Sequence, residues 1–238
     1  MSEDRAVPAP RARVLLVEDD DDVRRSLALS LADLGYDVVP AATGREALAA
    51  LPGVDAVLLD LTLPDLDGVQ LCRRIRASGP VPVIMVTARS GSDEVVAGLE
   101  AGADDSVTKP VVGRELAARV EAVLRRTDPT RTERLVVGDL EVQVHEGTVR
   151  RAGRAVHLTR TELHLLAALA AQAGRTVTRE QLLQQVWGYD YFGDTRLLDV
   201  HVRRLRAKVE DDAGSPRLVT TVRGVGYRLV PQAVDAAG

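Results

Sequence analysis

The chain has 238 residues, 45% hydrophobic and 28% charged, and its single cysteine, Cys72, excludes a disulfide framework or a thiolate metal cage. Four histidines (His145, His157, His164 and His201) show no ligand spacing, so a structural metal site is not expected. No apolar run reaches the roughly 20 residues that span a bilayer, and the polar opening MSEDRAVPAPRAR does not read as a secretory signal, so a cytoplasmic protein with no membrane partner is expected.

A net charge of −4 conceals an asymmetry. Residues 1–126 carry 15 Lys/Arg against 21 Asp/Glu, whereas residues 127–238 carry 16 against 14. An acidic half joined to a mildly basic half suggests two modules with different partners. Only two of the basic residues are lysine, Lys109 and Lys208, so lysine is a rare choice in a chain that otherwise uses arginine.

After a polar stretch over residues 1–11, read as disordered, short Val/Ile/Leu-rich runs alternate with helical spacing. Ala12–Val17, Tyr36–Val39, Ala56–Leu59, Val81–Val86 and Ser106–Thr108 read as strands. Val23–Leu34, Arg45–Leu51, Val69–Arg76, Glu94–Glu100 and Arg114–Arg126 read as helices. Five β–α units in a row predict a parallel sheet covered on both faces, spanning 12–126. The polar segment 127–134, with Pro129 and no apolar periodicity, reads as a linker. A second module follows over 135–231. Leu135–Val144 alternates as strands, and helices are expected at Thr159–Ala171, Arg179–Val186 and Thr195–Val209. Leu218–Val222 and Tyr227–Val230 flank the glycine-rich tip RGVG of a hairpin, and 232–238 form a tail.

In an open parallel sheet, ligands sit beyond the carboxyl ends of the strands. Glu18 and Asp19 follow the first strand, Asp60 the third, Thr87 the fourth and Lys109 the fifth. Hard oxygen ligands gathered on one rim suit Mg²⁺. The chemistry this supports is phosphoryl transfer to a carboxylate: Asp60 as nucleophile, Mg²⁺ on Glu18, Asp19 and Asp60, with Lys109 and Thr87 binding phosphate oxygens. Taken singly, each residue has a plainer reading. The acidic run Glu18–Asp22 opens a helix, where dipole and capping favour acids; Asp60 would be a turn residue, Thr87 a strand-end threonine and Lys109 a surface cation. The constellation on one rim decides against the plainer readings.

The runs VLLVEDDDDVRRSL, VLLDLTLPDLDG, VIMVTA and GADDSVTKP resemble the receiver domain of a two-component response regulator. The resemblance implies a flavodoxin-like sheet of order 2-1-3-4-5, with Asp60 as phosphoacceptor for a sensor histidine kinase. It also implies that Glu18 and Asp19 are the metal acids, the Thr62 backbone carbonyl a further ligand, Thr87 the switch hydroxyl and Lys109–Pro110 a cis bond. Two positions depart from the family pattern. Ser106 and Val111 stand where such receivers usually carry aromatics, so the usual threonine–aromatic coupling cannot operate in its usual form.

On a helical wheel, Leu198, Val202, Leu205 and Val209 share one face of Thr195–Val209, as a docked helix requires. Arg196, Val200, Arg203, Arg204 and Ala207 fall on the other, flanked by His201, Arg206 and Lys208. Three arginines beside small apolar side chains suit a major groove of double-stranded DNA, although an arginine-rich solvated helix would look the same. Arg223 at the hairpin tip is placed to enter a minor groove, and Thr220 and Thr221 offer hydroxyls to phosphates.

The runs LTRTELHLLAALA, VTREQLLQQVWG, LLDVHVRRLRAKVE and LVTTVRGVGYRL resemble the winged helix-turn-helix effector of the OmpR/PhoB family, an α+β domain. By that resemblance Thr195–Val209 is the recognition helix and Arg223 the wing arginine, and Tyr189, Tyr191 and Phe192 lie in a loop that touches RNA polymerase. An apolar staple onto the domain is the competing account of those aromatics. The resemblance also implies a homodimer on activation, paired through the fourth helix, fifth strand and fifth helix and bound to tandem promoter repeats. Leu99, Asp104, Asp105, Glu115, Ala118 and Arg119 would form that interface, with Val95 standing where a basic partner of Glu115 is expected.

Three functions compete. The first is a phosphorylation-gated transcription factor, and the second a DNA-binding regulator largely independent of phosphate, motivated by Ser106 and Val111. The third, an aspartyl-phosphate hydrolase of the haloacid dehalogenase type, wants an acid two residues after the nucleophile, where this chain has Thr62. A protein that accepts and slowly loses a phosphoryl group, but is no dedicated enzyme, is expected.

Overall fold

A computed structural model describes residues 11–88, 93–125, 134–188 and 196–232. The first five strands, β1 (Arg13–Val17), β2 (Asp37–Ala41), β3 (Ala56–Asp60), β4 (Val83–Thr87) and β5 (Asp105–Thr108), form one parallel sheet of order β2-β1-β3-β4-β5. That is the order the resemblance implies. Between and after them run α1 (Asp21–Asp33), α2 (Gly44–Ala50), α3 (Gly68–Ser78), α4 (Asp93–Ala101) and α5 (Gly113–Arg125).

Alternation along each strand sorts side chains to two cores. Val14, Leu16, Leu58, Ile84 and Val107 pack under Leu27 and Leu31 of α1 and Leu116, Val120 and Val123 of α5. Leu15, Val17, Val57, Leu59, Val83 and Met85 pack under Leu71 and Ile75 of α3 and Val95 and Leu99 of α4. Gly98 lets α4 lie close on the sheet, because a Cβ there would displace the end of the Met85 side chain. The Lys109–Pro110 bond is cis, as the resemblance implies.

The helices start where the sequence supplies caps. Asp20 accepts from the Asp22 and Val23 amides at 3.0 Å each, which makes it the N-cap of α1. Asp21 pairs with Arg24 and Asp22 lies 3.9 Å from Arg25, so this part of the acidic run serves the helix. The Asp65 carboxylate reaches back to the Gly44 and Arg45 amides at the start of α2.

The second module begins with an antiparallel sheet, β6 (Arg134–Val137), β7 (Leu140–Gln143), β8 (Thr148–Arg151) and β9 (Arg154–Ala155). Three helices follow, α6 (Arg160–Ala170), α7 (Arg179–Trp187) and α8 (Arg196–Val209). Thr159 with Glu162, and Thr178 with Gln181, close reciprocal capping boxes on α6 and α7. β11 (Val219–Val222) and β12 (Gly226–Leu229) make the hairpin, and β10 (Thr176–Thr178) pairs with β12. Gly226 allows this approach: a Cβ there would collide with the Val177 carbonyl oxygen.

Most boundaries differ from the sequence reading by one or two residues. Larger differences fall in the second module. Arg134, read as linker, opens β6, where its guanidinium pairs with Glu141 of β7 at 2.7 Å. β8, β9 and β10 are not legible as strands because TVRR, RA and TVT are too short or too charged to show alternation. The N-terminal stretch 1–10, nearly all of the linker and the tail beyond 232 lie outside the described residues. Among the described residues no helix is long and apolar enough to cross a membrane.

Candidate functional site

The carboxyl ends of β1, β3, β4 and β5 bring the predicted rim together. Glu18 and Asp60 are buried, at 2% and 5% exposure, and Thr87 is buried beside them. Asp19 is exposed and opens the cluster to solvent. One carboxylate oxygen from each of Glu18, Asp19 and Asp60 lies within 4.8 Å of the others. Arg24 of α1 donates to the backbone carbonyls of Glu18 and Asp19 at 2.7 and 3.2 Å, which fixes the turn carrying both acids.

Lys109 answers this negative charge. Its Nζ stands 2.6 Å from Asp60 Oδ2 and 2.7 Å from Glu18 Oε2, while the Thr62 amide donates to Asp60 Oδ1 at 2.9 Å. The Lys109 amide donates to the Thr87 carbonyl at 2.7 Å, so lysine and hydroxyl arrive from paired strands. Burial pushes the Glu18 carboxyl above the usual carboxylate range and the charge of Asp60 adds to this, against the hydrogen bond from Lys109. Burial alone would lower the Lys109 ammonium, but its hydrogen bonds to Asp60 and Glu18 outweigh burial and hold it up. The donor set is therefore all oxygen, gathered, and short of positive charge. It fits a small hard cation.

The predicted basic face of α8 has a different environment. Arg196 and Arg203 are exposed, but Val200 is 7% exposed and His201 fully buried, its ring 5.3 Å from that of Trp187. Arg204 donates to the Leu99 and Ala103 carbonyls of the first module at 2.7 and 3.2 Å and lies 2.9 Å from Glu162. Arg203 pairs with Glu100 of α4. The wheel face read as outward is thus buried at Val200 and covered at Arg204 by the Leu99 and Ala103 carbonyls. Arg206 turns to the hairpin: it donates to the Val219 carbonyl and to Thr221 Oγ1, both at 2.8 Å, and lies over the Tyr227 ring. Arg223 is exposed at the hairpin tip, where Gly224 takes a positive φ of 73°.

The residues expected at a pairing surface are also engaged within the chain. Asp105 binds Arg119 at 2.9 Å, and Arg119 binds Glu115 at 3.1 Å, all within α5 and β5. Leu99 and Asp104 are buried, whereas Ala118 is exposed. Ser106 is buried, and Val111 packs against the α1–α5 core. Tyr189, Tyr191 and Phe192 lie outside the described residues. Sequence reasoning missed Glu100, Thr161, Glu162 and Trp187 as partners of these groups. The capping-box spacing marks Glu162 as a helix-start residue, yet nothing local marks any of the four as meeting a distant element.

Comparisons with known proteins cover both modules. Residues 14–121 match the response regulator receiver domain, and residues 153–229 match the C-terminal domain of transcriptional regulatory proteins. The chain is 49% identical to the transcriptional regulatory protein AfsQ1 of Streptomyces coelicolor, over 92% of this chain and 98% of that protein. It is 47% identical to the DNA-binding response regulator MtrA of Mycolicibacterium smegmatis, over 93% and 98%. Among solved structures, a C128D mutant of RitR aligns with a TM-score of 0.70 at 31% identity, covering 93% of this chain and 99% of the other. The Thermotoga maritima OmpR/PhoB homologue DrrB aligns at 0.50 and 35%, covering 92% and 99%.

Proposed function

Because the chain belongs to the DNA-binding two-component response regulators of the OmpR/PhoB type, we propose that Asp60 is its phosphoacceptor and that phosphate on Asp60 governs its pairing and DNA binding. One observation carries this reading: Glu18, Asp19 and Asp60 converge within 4.8 Å, and Lys109 reaches both buried members.

The phosphoryl group of a sensor histidine kinase moves to an Asp60 carboxylate oxygen, and the kinase imidazole leaves. Glu18 and Asp19, with Asp60 and the Thr62 carbonyl, would hold Mg²⁺, which would supply positive charge to balance that of the transferred group. Lys109 shifts its hydrogen bond from Asp60 to a phosphoryl oxygen. Thr87 donates its hydroxyl to another. Residues 12–126 are the receiver and 135–231 the effector. The receiver pairs with a second copy through α4, β5 and α5, which brings two effectors to tandem promoter repeats. On each repeat, Arg196, Val200, Arg203, Arg204 and Arg206 of α8 serve the major groove, and Thr221 and Arg223 the wing; His201, read from the sequence as a flanking contact, is fully buried beside Trp187 and packs α8 instead. The 189–192 aromatics contact RNA polymerase, and the protein works in the cytoplasm beside its DNA.

Intact-mass analysis after incubation with acetyl phosphate and Mg²⁺ tests the acceptor. One phosphoryl group is expected on the wild-type chain and none on Asp60→Asn; a labelled Asp60→Asn would sink the assignment. Sedimentation velocity with Mg²⁺, with and without beryllofluoride, then tests the readout. A shift from monomer to dimer supports the phospho-switch. An unchanged mass with beryllofluoride bound supports the second reading, regulation largely independent of phosphate, which the buried Ser106 on β5 favours.

A further inference from the structure

Two of the three rim carboxylates are held through their own oxygens, and the third is not. Lys109 stands between Glu18 and Asp60, and the Thr62 amide donates to the other oxygen of Asp60. The Asp19 carboxylate is exposed and makes no hydrogen bond or ion pair among the described residues. Its place within 4.8 Å of the other two is therefore set by the backbone that carries it.

That backbone lies between the end of β1 and the Asp20 cap, so the Glu18 and Asp19 carbonyls fall outside the hydrogen bonds of α1. Arg24 reaches back to them from the end of the first turn. Its Nη1 donates to both, at 2.7 Å to Glu18 and 3.2 Å to Asp19, while its Nη2 pairs with Asp21. The side chain is only 18% exposed, so this contact is largely shielded from water. A bare guanidinium this close to a cation site would repel the cation. Paired with Asp21, it braces the turn with little net charge.

We propose that Arg24 is a positioning residue for the cation site, holding the Glu18–Asp19 turn so that the Asp19 carboxylate meets those of Glu18 and Asp60. It touches neither metal nor phosphate and acts through the acids it holds. This role rests on the reading of the rim as a Mg²⁺ and phosphoryl site, and its sign is distinctive. If Arg24 acted only through its charge, removing it would tighten cation binding. As a brace, its removal loosens that binding.

Calorimetric titration of Mg²⁺ into the full-length chain reads this sign directly. Arg24→Met keeps the apolar stem and removes donors and charge together. Its Kd for Mg²⁺ is expected to rise about tenfold or more, as when a residue that orients metal ligands is lost. Arg25→Met takes the same charge from the next residue, which is 72% exposed and pairs with Asp22, and there Kd should not rise. Arg24→Lys carries the test if Arg24→Met fails to fold. It keeps the charge but cannot hold two carbonyls and Asp21 in one fork, so Kd should rise there too. Labelling by acetyl phosphate should fall at Mg²⁺ concentrations below the new Kd and return toward the wild-type rate at saturation, since Asp60 and Lys109 are untouched. An unchanged or tighter Kd in a folded Arg24 variant overturns the positioning role, and so does a labelling deficit that persists at saturating Mg²⁺. A wild-type chain that binds Mg²⁺ yet takes up no phosphoryl group strikes the phosphoacceptor reading alone, and the comparison of Kd values still decides the role of Arg24.

Discussion

The receiver rim and the α8 face are both clusters of like charge, and they are neutralised in opposite ways. At the rim, Glu18, Asp60 and Lys109 come from the ends of β1, β3 and β5 of one sheet, and the compensating cation is built into the same scaffold. On α8, Arg203 and Arg204 are answered by Glu100, by the carbonyls of Leu99 and Ala103, and by Glu162. All but one of these partners belong to the other domain. A site built from one sheet is complete whenever that sheet folds. A face neutralised across domains keeps its partners only while the two domains stay together.

The comparison breaks most sharply at Glu162. Its fully buried carboxylate closes the α6 capping box and holds Arg204 and Lys208 at 2.9 and 2.6 Å. Glu162→Ala removes a buried partner of two cations, and such losses cost about 3–5 kcal/mol. Thermal unfolding should show the effector transition fall by many degrees while the receiver transition stays. A variant as stable as wild type would mean that the α8 cations need no internal partner.

At the rim the expected effect has the opposite sign. Three gathered carboxylates with one lysine are stabilised by any cation that binds the folded state alone, by about 2.7 kcal/mol at a hundredfold excess over Kd. Mg²⁺ should therefore raise the melting temperature at neutral pH and fail to do so in Asp60→Asn. The sign of the pH dependence follows from Glu18. Its folded carboxyl titrates above the ordinary value of 4.5, so between the two the folded state holds the extra proton. Without metal, this group's contribution to stability falls as pH rises through that window. The proton also competes with the metal, so the Mg²⁺ increment should shrink on acidification. An increment that grew in acid would remove Glu18 from the ligand set.

These two regions also differ in how much of them the sequence reveals. Strand ends follow from the apolar runs, and the ends of parallel strands in one sheet share an edge, so Glu18, Asp19, Asp60, Thr87 and Lys109 could be put on one rim before any coordinates. The two-faced character of α8 was equally legible, since Leu198, Val202 and Leu205 recur at helical spacing. What covers the second face was not. Arg204 and Leu99 are 105 residues apart, and no local pattern encodes a contact at that separation. The same limit applies to Asp104: its charge suggests an exposed ion pair, whereas its burial comes from α6 and α7, elements read only as helices. β8 and β9 escaped because TVRR and RA, half of them arginine, carry no apolar alternation to read.

The smallest expected effects separate two arginines that sequence alone treats alike. Arg206 and Arg223 both look like DNA contacts, one on the helix and one on the wing. Arg206 binds Val219 and Thr221 and lies 5.7 Å from the Tyr227 ring centroid, so it braces the hairpin against α8. The Glu210 carboxylate does the same from the end of the helix, accepting from the amides of Arg217, Leu218 and Val219. Arg206→Ala should lower effector stability by about 1–2 kcal/mol through two lost hydrogen bonds and weaken DNA binding by loosening the wing. Arg223 sits exposed at the tip, so Arg223→Ala should leave the melting temperature unchanged, within about 0.5 kcal/mol, and lower the slope of log affinity against log salt by about one. Arg206→Lys divides the roles further, because lysine keeps the charge but cannot reach two acceptors in a fixed fork. If Arg206→Lys restores the salt slope without restoring stability, Arg206 touches phosphate as well as the hairpin. If stability and affinity fall together and the slope is unchanged, Arg206 acts on DNA only through the wing it positions.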